Sequence, residues 1–270
     1  MMPKVSVIIA ALDAHDLLSE ALDSALAQSF GDLEVLIAPD EPCDYSSFAA
    51  RDARVRVLPG VPSPTGPGPA RNRALDAARG DWIAVLDADD LWSPDYLAEL
   101  VPAAAAAGTA FGRTSIVGED GRELRAVPPH GRGDQADFGT FERAFASFHG
   151  LARRDASRRW RNVFAEDVLF DLETLALAGG RSPLANGATY VLRLRPRSAT
   201  KSDAFIDGIG AEYTALIALI ERGETLISST HRAAAAEVFK SWARMNERFL
   251  QASAKVPGLA YQTYVAGLDS

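Results

Sequence analysis

The chain has a single cysteine, Cys43, among its 270 residues. It can therefore form no internal disulfide and no thiolate zinc cluster, and the cytosol is the expected setting. No apolar run approaches the roughly 20 residues that a membrane-spanning helix needs. Met1 to Val5 lead straight into a strand pattern, with no charged-then-apolar leader. Basic residues do not dominate: 28 Lys and Arg against 36 Asp and Glu leave a net charge of −8, which argues against a nucleic-acid partner. Glycine is missing where a dinucleotide-binding turn would use it, because Ala10 to Ala14 contain none. The Gly66–Pro69 stretch is no substitute, since its prolines remove the backbone N–H groups that cradle a phosphate.

What is present reads as a soluble α/β protein. Val5 to Ala11 and Leu33 to Ala38 are β-branched and apolar enough for buried parallel strands, and Val55 to Leu58 make a short third. Leu17, Leu18, Ala21, Leu22, Ala25 and Leu26 form the stripe of an amphipathic helix between the first two, with Asp13 or Asp16 available to cap it. A loop rich in Pro and Gly over residues 59 to 69 precedes a helix from Ala70 to Ala78 closed by Gly80, and Ser93-Pro94-Asp95 begins another. Alternation of strand and helix predicts a doubly wound sheet. Residues 108 to 165 carry no clear period, Glu166 opens a new apolar-periodic segment, and Ala188 to Leu194 alternate as a strand. Beyond Ser202 the chain reads as helical, with Val238, Trp242, Met245 and Phe249 on one face as core.

The chemistry concentrates after Trp82 to Leu86, an apolar strand pattern that ends in Asp87-Ala88-Asp89-Asp90. Ligands of open α/β sheets bind outside the carboxyl ends of the strands. Carboxylates clustered there are stable when a hard cation faces them, which suggests Mg²⁺ or Mn²⁺ with a phosphate-bearing ligand. On an extended chain Asp87 and Asp89 would point to the same side, with Ala88 leaving room between them. Asp40, just past the second strand, is placed either to accept from a nucleobase N–H or to cap a turn. Asp167 is a candidate general base, or else a helix-dipole partner. The Arg153 to Arg161 run is the one dense basic patch. It reads as a solvated loop, or as a contact for an acidic acceptor or an anionic membrane surface. A strand ending in Asp-x-Asp also opens the haloacid dehalogenase-type phosphatases, but their usual Thr would fall on Leu91.

Taken together, the motifs resemble glycosyltransferase family 2. The resemblance rests on Val5 to Ile9, the Leu18 to Phe30 helix, the Gly68 to Leu75 block and Gly80 to Asp90, with Glu166-Asp167 and, more loosely, Tyr190 to Thr200 in the second half. It implies a GT-A fold, a Rossmann-like and mostly parallel sheet flanked by helices. A catalytic domain would span 1–202, with a nucleotide-sugar half at 1–100 and an acceptor half at 101–202, followed by a helical extension at 203–270. It further implies that Asp40 meets the base and that Ala10, Leu12, Asp13 and Arg71 line the nucleotide site. Asp87 and Ala88 would approach the ribose, Asp89 would hold the metal, and Asp167 would deprotonate the acceptor. The expected activity is inverting transfer of one sugar from a nucleotide-sugar, with a UDP-sugar as the expected donor, to a saccharide or glycolipid hydroxyl in bacterial surface polysaccharide synthesis. A non-catalytic nucleotide-sugar-binding module is the alternative. The chain departs from the family at Ala10, where Pro is usual, at Asp13, where Asn is usual, and at Pro39, which often is a second Asp.

Overall fold

The structure is a computed structural model that describes residues 3–131, 133–155, 157–195, 203–256 and 258–269. Its elements in chain order are β1 (Val5–Ala11), α1 (His15–Leu26), β2 (Leu33–Pro39), α2 (Ser46–Ala49), β3 (Val55–Val57), α3 (Pro67–Ala77), β4 (Trp82–Val85), β5 (Leu91–Trp92) and α4 (Tyr96–Ala107). The second half adds β6 (Thr109–Val117), β7 (Glu123–Val127), β8 (Gln135–Asp137), α5 (Phe138–Glu142), β9 (Gly150–Arg153), α6 (Glu166–Leu177), β10 (Arg181–Arg193), α7 (Asp203–Glu221), α8 (Arg232–Ser253) and α9 (Tyr261–Asp269).

The strands join in the order β3-β2-β1-β4-β9-β6-β10-β5, with β7 on β6 and β8 on β10. β1 pairs in parallel with both β2 and β4, and β2 with β3, as the run of apolar strands predicts. Beyond β4 the sheet is mixed, because β9 runs antiparallel to both β4 and β6. Both faces are covered. Val5, Val7 and Ile9 join the core under α1 and α4, whereas Ile8 points the other way into a cluster with Ala70 and Ala74 of α3 and with Trp160 and Phe170. This period-2 split is why β1 is apolar throughout.

Several boundaries differ from the sequence expectation for local reasons. Helix α3 begins at Pro67, three residues before Ala70, because a first helical turn tolerates proline. Neither Asp13 nor Asp16 caps α1; its N-cap is Ala14, with no side-chain bond. Asp13 instead adopts a left-handed backbone at φ 49°, a conformation that Asp shares with the family's usual Asn. Ser93 does not cap α4, because its Oγ accepts from Thr189 N–H at 3.0 Å. Gly80 does not close α3; it sits against β1, where an added Cβ would meet Ser6 N at 2.6 Å. Gly80→Ala is expected to destabilise the fold by about 1–3 kcal/mol through overpacking, read as a lower denaturation midpoint.

Residues 108 to 165 hold four strands that the pattern did not reveal. β6 carries Arg113, Thr114 and Ser115 in a buried position. Arg113 is satisfied there by the carbonyls of Pro128 and Pro129 and by Asn186 Oδ1, so a polar stretch survives inside the sheet. β10 starts seven residues before Ala188, its pairing with β6 interrupted between Leu184 and Thr189. The C-terminal stripe is core as expected: Val238, Trp242 and Phe249 are buried and Met245 is half-buried. Residues 196–200 of the Tyr190 to Thr200 signature, and the expected boundary at 202, lie outside the described residues. Among the described residues no helix is long and apolar enough to cross a membrane.

Candidate active site

At the carboxyl ends of β1, β2 and β4 the sheet opens into a polar cluster. Strand β4 stops at Val85, and residues 87–90 form a turn in which Asp90 N–H donates to Asp87 O at 3.1 Å. Asp87 and Asp89 are therefore not aligned along an extended strand, and the sequence expectation of a shared face is corrected. The turn is held from β10: Asp87 N–H donates to Tyr190 Oη (3.1 Å), Tyr190 Oη donates to Asp90 Oδ2 (2.9 Å), and Arg193 N–H donates to Asp90 Oδ1 (2.8 Å). Asp90 is thus a buried brace. Burial first, and then neighbouring Asp87, push its carboxyl up to about 7.

Arg71 ties the cluster together. Its guanidinium is 5% exposed and donates to Asp87 Oδ1 at 2.7 Å and to Glu166 Oε1 of α6. The Asp87–Asp90 turn and the Glu166-Asp167 pair are 79 residues apart in sequence (166 − 87), yet share one arginine. Burial opposes charge on Asp87, but Arg71, followed by His149, outweighs it and holds that carboxyl well below its usual range. Glu166 goes the other way: burial and then Asp167 raise it to about 7 despite Arg71.

His149 and Asp171 complete the network, and neither carried a signal strong enough to be picked from the sequence. His149 is 3% exposed, with Nε2 3.6 Å from Asp87 Oδ2 and Nδ1 3.7 Å from Asp171 Oδ2. These are ion-pair distances, longer than hydrogen bonds. Burial disfavours the imidazolium, but Asp171 and Asp87 more than offset this and raise it to about 10. The row Asp171, His149, Asp87, Arg71, Glu166 therefore alternates acidic and basic groups, all buried except half-buried Asp87. Arg71→Met would leave buried Glu166 and half-buried Asp87 without their shared cation. The expected cost is about 3–5 kcal/mol, read from urea denaturation, with a loss of activity beyond the loss of folded protein.

The other expected residues separate into two groups. Asp167 is half-buried on α6, where it accepts from Ser147 Oγ at 2.8 Å. It faces a cavity of about 460 Å³ that α7, α8 and α9 help to line. Ala88 is buried in the turn, Ala10 is half-buried near the end of β1, and Leu12 is 51% exposed just beyond it. Asp40 takes the turn-capping role of the two weighed: it is 2% exposed and accepts from Thr65 N–H, Thr65 Oγ1 and Gly66 N–H at 2.6–2.8 Å. Glu41 is the carboxylate next to Asp13, accepting from its N–H at 2.7 Å.

Asp89 faces a cation, since its carboxylate pairs with Arg195 while remaining 37% exposed. Among the described residues no three His, Cys, Asp or Glu side chains gather as a metal cage. One accessible carboxylate still fits Mg²⁺ or Mn²⁺, which keep few protein ligands and take phosphate oxygens for the rest. The basic run is solvated in part: Arg153, Arg154 and Arg159 are exposed, and two of its residues turn inward. Arg158 is buried over the Phe170 ring, Trp160 stacks on the same ring at 4.0 Å, and Arg159 pairs with Asp76 at 2.7 Å.

Residues 6–167 match the sequence profile of Glycosyl transferase family 2. The chain belongs to this family. It is 32% identical over 226 residues to a succinoglycan biosynthesis protein, ExoO, of Rhizobium meliloti, covering 74% of this chain and 63% of that protein. It is 34% identical over 96 residues to WfgD of Escherichia coli, a UDP-Glc:alpha-D-GlcNAc-diphosphoundecaprenol beta-1,3-glucosyltransferase, covering 34% of this chain and 38% of that one. The chain thus spans less than two thirds of the length of either. Among solved structures, S. aureus TarS 1–349 in complex with UDP-GlcNAc aligns with a TM-score of 0.59 at 16% identity over 92% of both chains. The Pyrobaculum calidifontis mannosyltransferase in complex with GDP-Man and Mn²⁺ aligns with 0.58 at 16% identity, covering 100% of this chain and 80% of that one. At these identities the structural match establishes the fold, a GT-A-type α/β sheet with a helical C-terminal region.

Proposed function

We propose that this family 2 protein is a metal-dependent inverting glycosyltransferase that moves one sugar from a UDP-sugar to an acceptor hydroxyl. The observation that carries the reading is the Arg71 bridge, which fixes the Asp87–Asp90 turn and the Glu166-Asp167 pair in one crevice at the sheet's carboxyl edge. Donor and acceptor chemistry need that adjacency, because reacting atoms must come within about 3–3.5 Å.

In this reading the nucleotide lies over the end of β1, where exposed Leu12 offers an apolar surface beside Ala10 and Asp13. Asp87, kept ionised by Arg71 and His149, accepts from the ribose hydroxyls next to Ala88. Asp40 acts indirectly, through the 65–66 loop that it holds. Asp89 would hold the divalent ion, which when bound supplies Lewis-acid stabilisation to the departing diphosphate. Asp167 takes the proton of the acceptor hydroxyl as that oxygen bonds to the anomeric carbon and the bond to the diphosphate breaks, inverting the centre. Ser147 fixes the carboxylate's direction.

The names of the relatives support a saccharide or glycolipid acceptor in bacterial polysaccharide synthesis. The TarS and mannosyltransferase complexes support a nucleotide-sugar donor, and the latter a divalent ion. The reading is tested by Asp89→Asn and Asp167→Asn assayed side by side for donor binding and for turnover.

A further inference from the structure

The crevice accounts for one side of Asp167; the cavity on its other side has no role yet. At about 460 Å³ it is within the range of small-molecule sites. Asp167 and Ser147 stand at its polar end. The rest is walled by side chains such as Phe145, Leu192, Tyr213, Trp242 and Phe249. Four polar side chains interrupt this wall: Tyr261, Gln262, whose Nε2 donates to Phe145 O at 2.8 Å, Asn246 and Tyr213. Asn246 is 6% exposed and Tyr213 4% exposed, and neither side-chain amide nor hydroxyl has a hydrogen-bond partner among the described residues. Burial raises the Tyr213 hydroxyl well above its usual range, so it stays protonated and able to donate.

Such a lining does not suit a bare sugar, whose hydroxyls would face hydrocarbon at a cost for each one left unpaired. It suits an apolar group carrying an occasional acceptor atom. The cavity lies against the carboxylate assigned as the base, so its occupant is attached to the unit that presents the reacting hydroxyl. We propose that this cavity binds the apolar aglycone, alkyl or aryl, of an amphiphilic acceptor, with Asn246 and Tyr213 donating to the linking oxygen. The inference rests on the glycosyltransferase reading of Asp167. It adds a substrate class that the crevice does not specify.

Intrinsic tryptophan fluorescence, with Trp242 in the cavity wall, measures binding of n-octyl, phenyl and methyl β-D-glucopyranoside, the octyl compound kept below its micelle concentration. The octyl or the phenyl glucoside is expected to bind at least about tenfold more tightly than the methyl one, because each buried methylene or ring carbon adds affinity. Which of the two wins identifies alkyl or aryl. Asn246→Phe, which fills the space, is expected to remove that preference while keeping the melting-temperature rise produced by UDP with Mn²⁺. Asn246→Leu replaces it if the larger side chain prevents folding. Equal binding of all three glucosides, or an unchanged preference in the folded variant, would overturn the proposal. A glucoside preference with no response to UDP in the wild-type protein would instead overturn the transferase reading, and the acceptor role of the cavity with it.

Discussion

Asp167→Asn is expected to lower kcat by roughly 10²–10⁴-fold, the usual contribution of a positioned general base, while UDP binding stays within about twofold of wild type. The separation follows from where the carboxylate sits. Among the described residues its carboxylate has one hydrogen bond, from Ser147, on the cavity side, whereas the contacts that shape the crevice proposed for the donor run through Glu166 and Arg71. Asparagine preserves the shape and can still accept from Ser147 Oγ, but it cannot take a proton. Steady-state turnover and titration of UDP, measured on the same preparation, check both halves. A variant that lost donor affinity together with turnover would show that Asp167 belongs to the donor site and not to the acceptor side.

Asp89→Asn carries the other large effect. Asp89 is the carboxylate proposed to hold the metal, and at 37% side-chain exposure it is the most accessible of the turn. Asp87 is committed to Arg71 and His149, and Asp90 is buried against Tyr190 and the Arg193 backbone. In the structure Asp89 pairs with Arg195, so it already faces positive charge. Removing its negative charge is expected to abolish the Mn²⁺ dependence of donor binding and to reduce transfer below detection, because the departing diphosphate loses its main charge stabiliser. Folding is expected to be nearly unaffected, since an ion pair this exposed contributes little.

The sequence made the α/β half legible because its signals are local. Val5 to Ala11, Leu33 to Pro39 and Trp82 to Val85 are buried on both faces and so read as unbroken apolar runs. β6 and β9 were not legible: Arg113 and Thr114 are buried by partners distant in sequence, and a four-residue strand has too few positions to show a period. In the site, residue types were readable and directions were not. Asp-x-Asp marked the turn that Arg71 and Tyr190 hold, yet the bend after Val85 sends the two carboxylates to different partners. His149 sits alone in an aperiodic stretch, and only tertiary structure puts it between Asp87 and Asp171. Asp171 lies four residues after Asp167 on α6, a spacing that shares a helix face but does not say which group it meets.

The most direct test of the account is the melting temperature of the wild-type protein and of Asp89→Asn with UDP, with Mn²⁺ and with both. Ligand binding to the folded state raises the melting temperature by mass action. The account predicts a rise in the wild type that requires UDP and Mn²⁺ together and is absent from Asp89→Asn. An equal rise in the two proteins, or none with any nucleoside diphosphate in either, would contradict it.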